Sequence, residues 1–317
     1  MKPTFSTSIP ERTVGLAPMP GSGIHPRSGG RRRAIDLRPA LSILLPALAL
    51  SLAAATSAQT ESPPADAETA RQRLEASPRH GEWIDIEGPA PESGGMRDSV
   101  LAWISYPERS TKAPVVIVIH EIFGLTEWIR AVADQLAAEG FIAVAPDLLT
   151  GHGPEGSGTP EDTQRAMALV RGLDMAEVMR RLSYVADHAT SLPAATESFG
   201  SVGFCWGGGM SFTFAGTDGD LDAAVVYYGR SADAGTIANV EAPVLGLYGG
   251  DDMRVNATIP DGEAAMKAAG KSFTKHVHEG AGHGFLRQQD GKEGANAKAA
   301  QAAWQETIAF FREHLEE

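Results

Sequence analysis

The sequence predicts an α/β domain over residues 80–317, in which helices cover both faces of a mostly parallel central sheet. From Trp83 onward, short apolar segments rich in β-branched residues alternate with segments of helical periodicity. The segment APVVIVIHE, residues 113–121, is apolar without alternation, which is typical of a strand buried on both faces of a parallel sheet. No internal repeat and no second globular domain are evident in the sequence.

The first half of this domain begins with two apolar segments, EWIDIE and DSVLAWISYP, which predict an antiparallel strand pair at one edge of the sheet. The strand APVVIVIHE follows. The segment EWIRAVADQLAAEG then has helical spacing and a terminal glycine suited to a C-cap. FIAVAPDLL predicts the next strand, and residues 160–192 predict two helices that are broken near Gly172.

The second half continues the alternation. It predicts a strand at SFGSVGFC, a helix from Trp206, strands at DAAVVYYG and APVLGLYGGDD, a helix over about 261–269, a strand at KSFTKHVHE and a closing helix over 295–314. In such sheets ligands bind at the carboxyl ends of the strands. The chemically interesting residues fall at these ends: His120, Glu121, Cys205, Asp251, Asp252 and His283.

Residues 1–58 predict an export signal with an upstream extension. Three consecutive arginines, residues 31–33, precede an apolar segment from about Pro39 to Ala55, and small residues continue to Ala58. The expected location is periplasmic or secreted, by the general or the twin-arginine route, with no stable membrane association after cleavage. An uncleaved anchor is the alternative. Residues 59–79 predict a polar linker with a short helix.

Composition limits the function classes. The 317 residues are 43% hydrophobic and carry a formal net charge of −13, which argues against nucleic acid or an anionic membrane as the main partner. One cysteine excludes an intramolecular disulfide and a cysteine-rich zinc site. We expect a monomer that needs neither cofactor nor metal.

The segment GFCWGG, residues 203–208, predicts a nucleophile elbow with sulfur in place of the usual serine oxygen. Gly203 and Gly207 free a sharp strand-to-helix turn from Cβ clashes. The turn would expose the Cys205 thiol at a helix N-terminus, where the dipole and free N–H groups favour a thiolate. The backbone N–H of Trp206 would point at a developing oxyanion. A buried structural cysteine is the alternative.

A thiol nucleophile needs a base, and the base needs an orienting acid. His283, in the glycine-rich segment GAGHGF, follows both other candidates in the chain, in the order nucleophile, acid, histidine. Asp252 is the preferred acid, with Asp251 as the alternative. The segment HEIFGL begins at His120 and would supply a second oxyanion donor, the N–H of Ile122.

These segments together resemble the dienelactone hydrolase family of α/β-hydrolases. HEIFGL, APDLL, GFCWGG, GGDDMRV and AGHGFLR occur in the family's order and approximate spacing. The resemblance implies an α/β-hydrolase fold with Cys205 as nucleophile, Asp252 as acid and His283 as base. It implies that Glu121 contacts the resting thiol and takes its proton when substrate displaces the thiol.

The resemblance also implies that Arg287, four residues after the histidine, helps to hold a substrate carboxylate. A second substrate-binding arginine of the family would precede Leu173, and neither Arg165 nor Arg171 aligns with it. The predicted function is therefore that of an exported cysteine hydrolase of small carboxylic esters or lactones, acting through a thioester. A non-catalytic binding protein of the same fold is the alternative, and a cysteine peptidase or acyltransferase is a further one.

Overall fold

A computed structural model describes residues 62–90 and 97–316 of the chain. The predicted export signal and upstream extension, residues 1–58, lie outside these residues. Over the described residues, no helix is both long and apolar enough to cross a membrane.

Over the described residues, the central sheet has eight strands in the order β1-β2-β4-β3-β5-β6-β7-β8. The first two strands form the predicted antiparallel edge pair, β2 runs antiparallel to β4, and all other neighbours are parallel. This confirms the predicted fold class. The strands are β1 Gly81–Glu87, β2 Ser99–Ser105, β3 Ala113–Ile119, β4 Ile142–Pro146, β5 Ala195–Phe204, β6 Ala223–Tyr227, β7 Val244–Gly249 and β8 Phe273–His278.

Helices cover both faces of the sheet, as the sequence predicts. Those in the described residues are α1 Ala70–Glu75, α2 Glu127–Ala138, α3 Thr163–Gly172, α4 Met175–Thr190, α5 Trp206–Ala215, α6 Ala234–Ile237, α7 Met253–Asn256, α8 Ile259–Ala268 and α9 Ala295–Leu315. The break near Gly172 is confirmed, since Asp174 caps α4 through a hydrogen bond from Glu177 N. The short helices α6 and α7 were not predicted, because four residues carry no periodic pattern.

Strand β3 shows why an unbroken apolar run belongs at the centre of the sheet. Alternate side chains point to opposite faces of a strand. Val115 and Ile117 join a core that contains residues of α4 and α5, whereas Val116 and Val118 join a core that contains residues of α2 and α9. All seven residues of β3 are buried. Burial on both faces fixes the strand ends, and therefore fixes the loops that follow them.

The segment predicted as a linker packs on the domain over residues 62–79. It forms α1, and Ala70 is buried in the same core as Trp128 of α2. Arg79 and Ser77 both bind the carboxylate of Asp134, another residue of α2. A short polar segment can dock in this way through a few side chains, which composition alone does not reveal.

Helix α5 packs unusually close to β5 and β3. A Cβ atom on Gly203 would lie 1.9 Å from the carbonyl oxygen of Gly207, and a Cβ on Gly207 would lie 2.4 Å from the carbonyl oxygens of Ile119 and His120. These neighbours are backbone atoms of α5 and of the end of β3, so they cannot move aside without shifting the helix or the strand. The two glycines predicted to permit the turn are therefore required by contact geometry.

We predict that Gly207→Ala destabilises the protein by about 1–3 kcal/mol, because the added methyl overpacks against backbone. Gly209→Ala, on the same helix, should stabilise it by up to about 1 kcal/mol, since a Cβ there would meet its nearest neighbour, Arg230 O, at 3.5 Å. Chemical denaturation of the two variants and the wild type measures both effects. Equal effects of the two substitutions would contradict the close-packing argument.

Candidate active site

The carboxyl ends of parallel strands bring the candidate residues to one edge of the sheet. Glu121 follows β3, Cys205 follows β5, Asp252 follows β7 and His283 follows β8. These strands are consecutive neighbours apart from β6, which lies between β5 and β7. Tyr228 follows β6 and completes the row.

Cys205 occupies a sharp turn between β5 and α5. Its backbone has φ 56° and ψ −112°, a conformation that costs an L-residue about 1–3 kcal/mol and persists only where its surroundings enforce it. The Cys205 N–H donates to Tyr227 O at 3.1 Å, which ties the turn to β6. Together with the contacts of Gly203 and Gly207, this geometry defines an elbow of the predicted kind.

The prediction that the helix N-terminus favours a thiolate is wrong for this structure, in which the half-buried Cys205 agrees with the resting thiol that the family resemblance implies. Burial and, after it, the negative charge of Glu121 raise the pKa of the Cys205 thiol to about 11. Hydrogen bonding from the backbone N–H groups of Trp206 and Ile122 and the charge of Arg254 lower the pKa, but by less than burial raises it. Near neutral pH the sulfur therefore carries its proton.

Both predicted oxyanion donors influence the Cys205 thiol and lower its pKa. The N–H groups of Ile122 and Trp206 both act on the Cys205 sulfur through hydrogen bonding, although they belong to different elements. Ile122 lies in the loop after β3, and Trp206 is the first residue of α5. Donors that act on the sulfur also lie close to the oxygen of a carbonyl group that the sulfur attacks.

Asp252 and His283 form a close pair. The distance from Asp252 Oδ2 to His283 Nδ1 is 2.5 Å. Asp252 is buried, and its second oxygen accepts from Val255 N at 3.3 Å, so the carboxylate has a fixed orientation. Asp251 instead lies 3.0 Å from Lys292 Nζ, near the surface. The geometry favours Asp252 over the alternative. Among the described residues, no hydrogen bond joins His283 to Cys205.

Glu121 is buried, with Arg287 as its ion-pair partner. The distance from Arg287 Nε to Glu121 Oε2 is 2.8 Å, although that N–H does not point at an acceptor in hydrogen-bond geometry. Burial raises the pKa of Glu121 to about 7, and the charge of Arg287 only partly opposes this. The Arg287 guanidinium also lies 5.0 Å from the centre of the Phe123 ring. Arg165 and Arg171 are both exposed on α3.

Tyr228 is a site residue that the sequence analysis missed. It is buried, has φ 39°, and its ring packs edge-on against His283 at 5.2 Å. Within the described part of the chain its hydroxyl has no hydrogen-bond partner. Burial, followed by the charges of Glu121 and Cys205, raises its pKa well above the usual value. The sequence signal that could have identified Tyr228 is its position at the end of the predicted strand DAAVVYYG, where the other candidate site residues also fall.

A cluster around Asp147 holds the loop that carries Ile122. Asp147 Oδ1 accepts from Thr159 Oγ1 at 2.7 Å, and Thr159 Oγ1 in turn accepts from Leu125 N at 2.9 Å. His120 is buried in the same loop, with Nδ1 2.7 Å from Glu121 O and its ring stacked on Trp206 at 5.4 Å. The loop is thus tied at both ends.

A metal centre is not indicated: over residues 62–90 and 97–316, no group of three or more His, Cys, Asp or Glu side chains is placed to hold an ion. The sheet order, the elbow after β5 and the acid–histidine pair beyond β7 and β8 define an α/β-hydrolase.

The chain belongs to the dienelactone hydrolase family, since residues 100–315 match that family. A Yersinia pestis protein named "Putative carboxymethylenebutenolidase" is 32% identical over 229 residues, covering 68% of this chain and 85% of that protein. A Methylorubrum extorquens protein of the same name is 33% identical over 232 residues, covering 69% and 79%. A crystal structure of a "Putative Dienelactone Hydrolase" from Klebsiella pneumoniae has 28% identity and a TM-score of 0.61, covering 74% and 100%. The chain is thus a hydrolase similar to dienelactone hydrolases.

We predict that Glu121→Gln raises the reactivity of the single thiol toward iodoacetamide above pH 7. Ionised Glu121 raises the pKa of Cys205, so its removal increases the thiolate fraction. Below pH 7 the wild-type Glu121 is protonated, and the two rates should converge. Intact-mass measurement of alkylation between pH 5.5 and 9.5 gives both rates, with Cys205→Ser as the blank. A rate ratio independent of pH would contradict the coupling.

Proposed function

We propose that this protein hydrolyses carboxylic esters or lactones through a thioester on Cys205. The observation that carries the proposal is the strained turn that holds the Cys205 sulfur at the start of α5, where the N–H groups of Ile122 and Trp206 favour a negative charge. The Asp252–His283 pair stands at the same edge of the sheet. The relatives' name, carboxymethylenebutenolidase, denotes action on a butenolide, which is a lactone.

The resting thiol must first lose its proton. Glu121, with a pKa of about 7, is the nearby acceptor, and its ionised form is held by Arg287. A substrate carboxylate that binds Arg287 would compete with Glu121 for the guanidinium. Glu121 would then lose its counter-charge in a buried site, and its pKa would rise further. Substrate binding thereby makes Glu121 a stronger base at the moment when the thiolate is needed.

The thiolate then attacks the carbonyl carbon. A C–S bond forms, and the π electrons of the carbonyl move to oxygen, which accepts hydrogen bonds from Ile122 N and Trp206 N. These donors are backbone groups fixed by the elbow and by the loop after β3, so they need little reorganisation during the reaction. As the tetrahedral intermediate collapses, the C–O bond to the alcohol breaks, and the leaving oxygen receives the proton that Glu121 took from the thiol.

His283 completes the cycle as general acid and base. In the thioester state it removes a proton from water, the resulting hydroxide attacks the thioester carbon, and the C–S bond breaks to release the carboxylic acid. Asp252 orients the ring through Nδ1, which leaves Nε2 to exchange the proton. His283 then gives the proton that it took from water to the sulfur, which returns to the half-buried thiol state.

We also propose that the protein is exported and acts as a monomer. The order of basic, apolar and small residues before Ala58 supports export. A reactive thiol in an oxidising compartment is open to oxidation, and a buried thiol that stays protonated until substrate arrives reacts more slowly with oxidants.

The proposal predicts that Cys205→Ala lowers kcat/KM for p-nitrophenyl acetate by at least about 10³-fold, since without the nucleophile no thioester forms. Stopping the wild-type reaction in acid should show one acetyl group on the protein by intact mass. Turnover that survives Cys205→Ala would overturn the cysteine mechanism. Wild-type protein with no activity on esters or lactones would favour the non-catalytic binding alternative.

Two neighbouring aspartates provide a matched pair. Asp252→Asn should lower kcat by about 10³–10⁴-fold, because the imidazole loses its orienting carboxylate. Asp251→Asn, which removes the same charge one residue away and affects only the contact with Lys292, should keep kcat within about threefold. Steady-state kinetics on one ester decides the assignment. The opposite order of effects would transfer the acid role to Asp251.

A further inference from the structure

The N-terminal strap, defined here as residues 64–71, lies against the loop that carries His283 and Arg287. The Ala67 N–H donates to Arg287 O at 3.0 Å. The Gln289 side chain donates to Pro64 O at 2.8 Å, so the strap contacts this loop at two points. The strap belongs to the segment predicted as a linker, and it precedes the residues that match the family, 100–315.

Helix α2 holds the other side of the strap. Trp128 Nε1 donates to Ala65 O at 3.0 Å, and Arg71 Nε lies 3.0 Å from Glu127 Oε2. Ala70 is 1% exposed and packs in the core that contains Trp128. Backbone, side-chain and core contacts all fix the strap, so its position does not depend on one exposed ion pair.

A cavity of about 760 Å³ lies between the strap and the catalytic edge. Arg287 and Phe123 line it on the catalytic side, where Arg287 pairs with Glu121 and Phe123 follows the Ile122 donor. Ala67 lines it on the strap side, and Thr163 lines it from the start of α3. The cavity therefore shares two wall residues with the site that holds Cys205.

The lining indicates what the cavity accepts. Its two guanidinium groups already have carboxylate partners: Arg287 has Glu121 and Arg71 has Glu127. Leu125, Trp128, Pro160 and Phe123 supply apolar surface. The carboxylates of Glu127 and Glu161 also line the cavity and repel an anion, so the partly apolar walls suit an extended, uncharged group.

We propose that the strap is part of the active site, with Ala67 forming the outer wall of a subsite for the long, uncharged substituent of an ester substrate. The proposal rests on the proposed function, since it assigns this subsite to the same hydrolytic reaction. Through Ala67, residues outside the matched family region set the length of substrate that the enzyme accepts.

The test compares long and short esters in a variant that fills the cavity. Ala67→Trp should lower kcat/KM for p-nitrophenyl octanoate or for octyl acetate by at least about tenfold relative to the corresponding short ester, p-nitrophenyl acetate or ethyl acetate. The readout is the long-to-short ratio, so a loss common to both esters cancels. Glu68→Trp is the control, because Glu68 is exposed like Ala67 but does not line the cavity. The long-to-short ratios of kcat/KM for this control should match those of the wild type.

A second cavity variant keeps the test valid if Ala67→Trp does not fold. Thr163→Trp narrows the same cavity from α3, and its exposed neighbour Gln164, which does not line the cavity, provides the control Gln164→Trp. Unchanged long-to-short ratios in both cavity variants, for both long esters, would overturn the subsite. Loss of the proposed function has a different signature, namely wild-type turnover of short esters that Cys205→Ala does not abolish.

Discussion

The close contact between helix α5 and the ends of β3 and β5 is the constraint on which the site depends. Only glycine at 203 and 207 allows backbone to meet backbone at this distance. The contact forces Cys205 into a positive φ and places the Trp206 N–H beside the sulfur. It also brings α5 against the carbonyl groups that precede Glu121. The proposed nucleophile, one proposed oxyanion donor and the neighbouring carboxyl group thus depend on the same packing, which is a property of backbone and not of any reactive side chain.

Burial then decides the charge state of the site. If the side chains of Cys205 and Glu121 were both ionised, two negative charges would lie close together away from water, which costs free energy. Burial instead raises the pKa of the Cys205 thiol to about 11 and the pKa of Glu121 to about 7, and Arg287 is the ion-pair partner of Glu121. The helix dipole and two amides favour the thiolate, but desolvation outweighs them. In the proposed mechanism, the reactivity of the thiol therefore depends on what a bound substrate does to the Arg287–Glu121 pair.

The sequence was most informative where a pattern reflects local geometry. The unbroken apolar run of β3 and the glycines around Cys205 predicted the buried strand and the elbow, and both are confirmed. Contacts between distant residues were not readable in this way. Asp251 and Asp252 are adjacent in the chain, and only their partners, Lys292 and His283, distinguish them. The elbow motif alone predicted a thiolate wrongly, because a motif shows nearby dipoles but not the extent of burial, whereas the family resemblance implied a resting thiol.

The strap is a second case in which the sequence did not reveal contacts between distant residues. Its composition is that of a polar linker, yet Ala70 is buried and two of its backbone oxygens accept side-chain hydrogen bonds from Trp128 and Gln289. Such docking uses few apolar residues, so it leaves almost no hydrophobic pattern. The strap adds no reactive group, but it contacts the loop that bears Arg287. In the proposed subsite, the matched family region supplies the reacting groups and the preceding segment supplies one wall, so the accepted substrates can change while the reacting groups stay fixed.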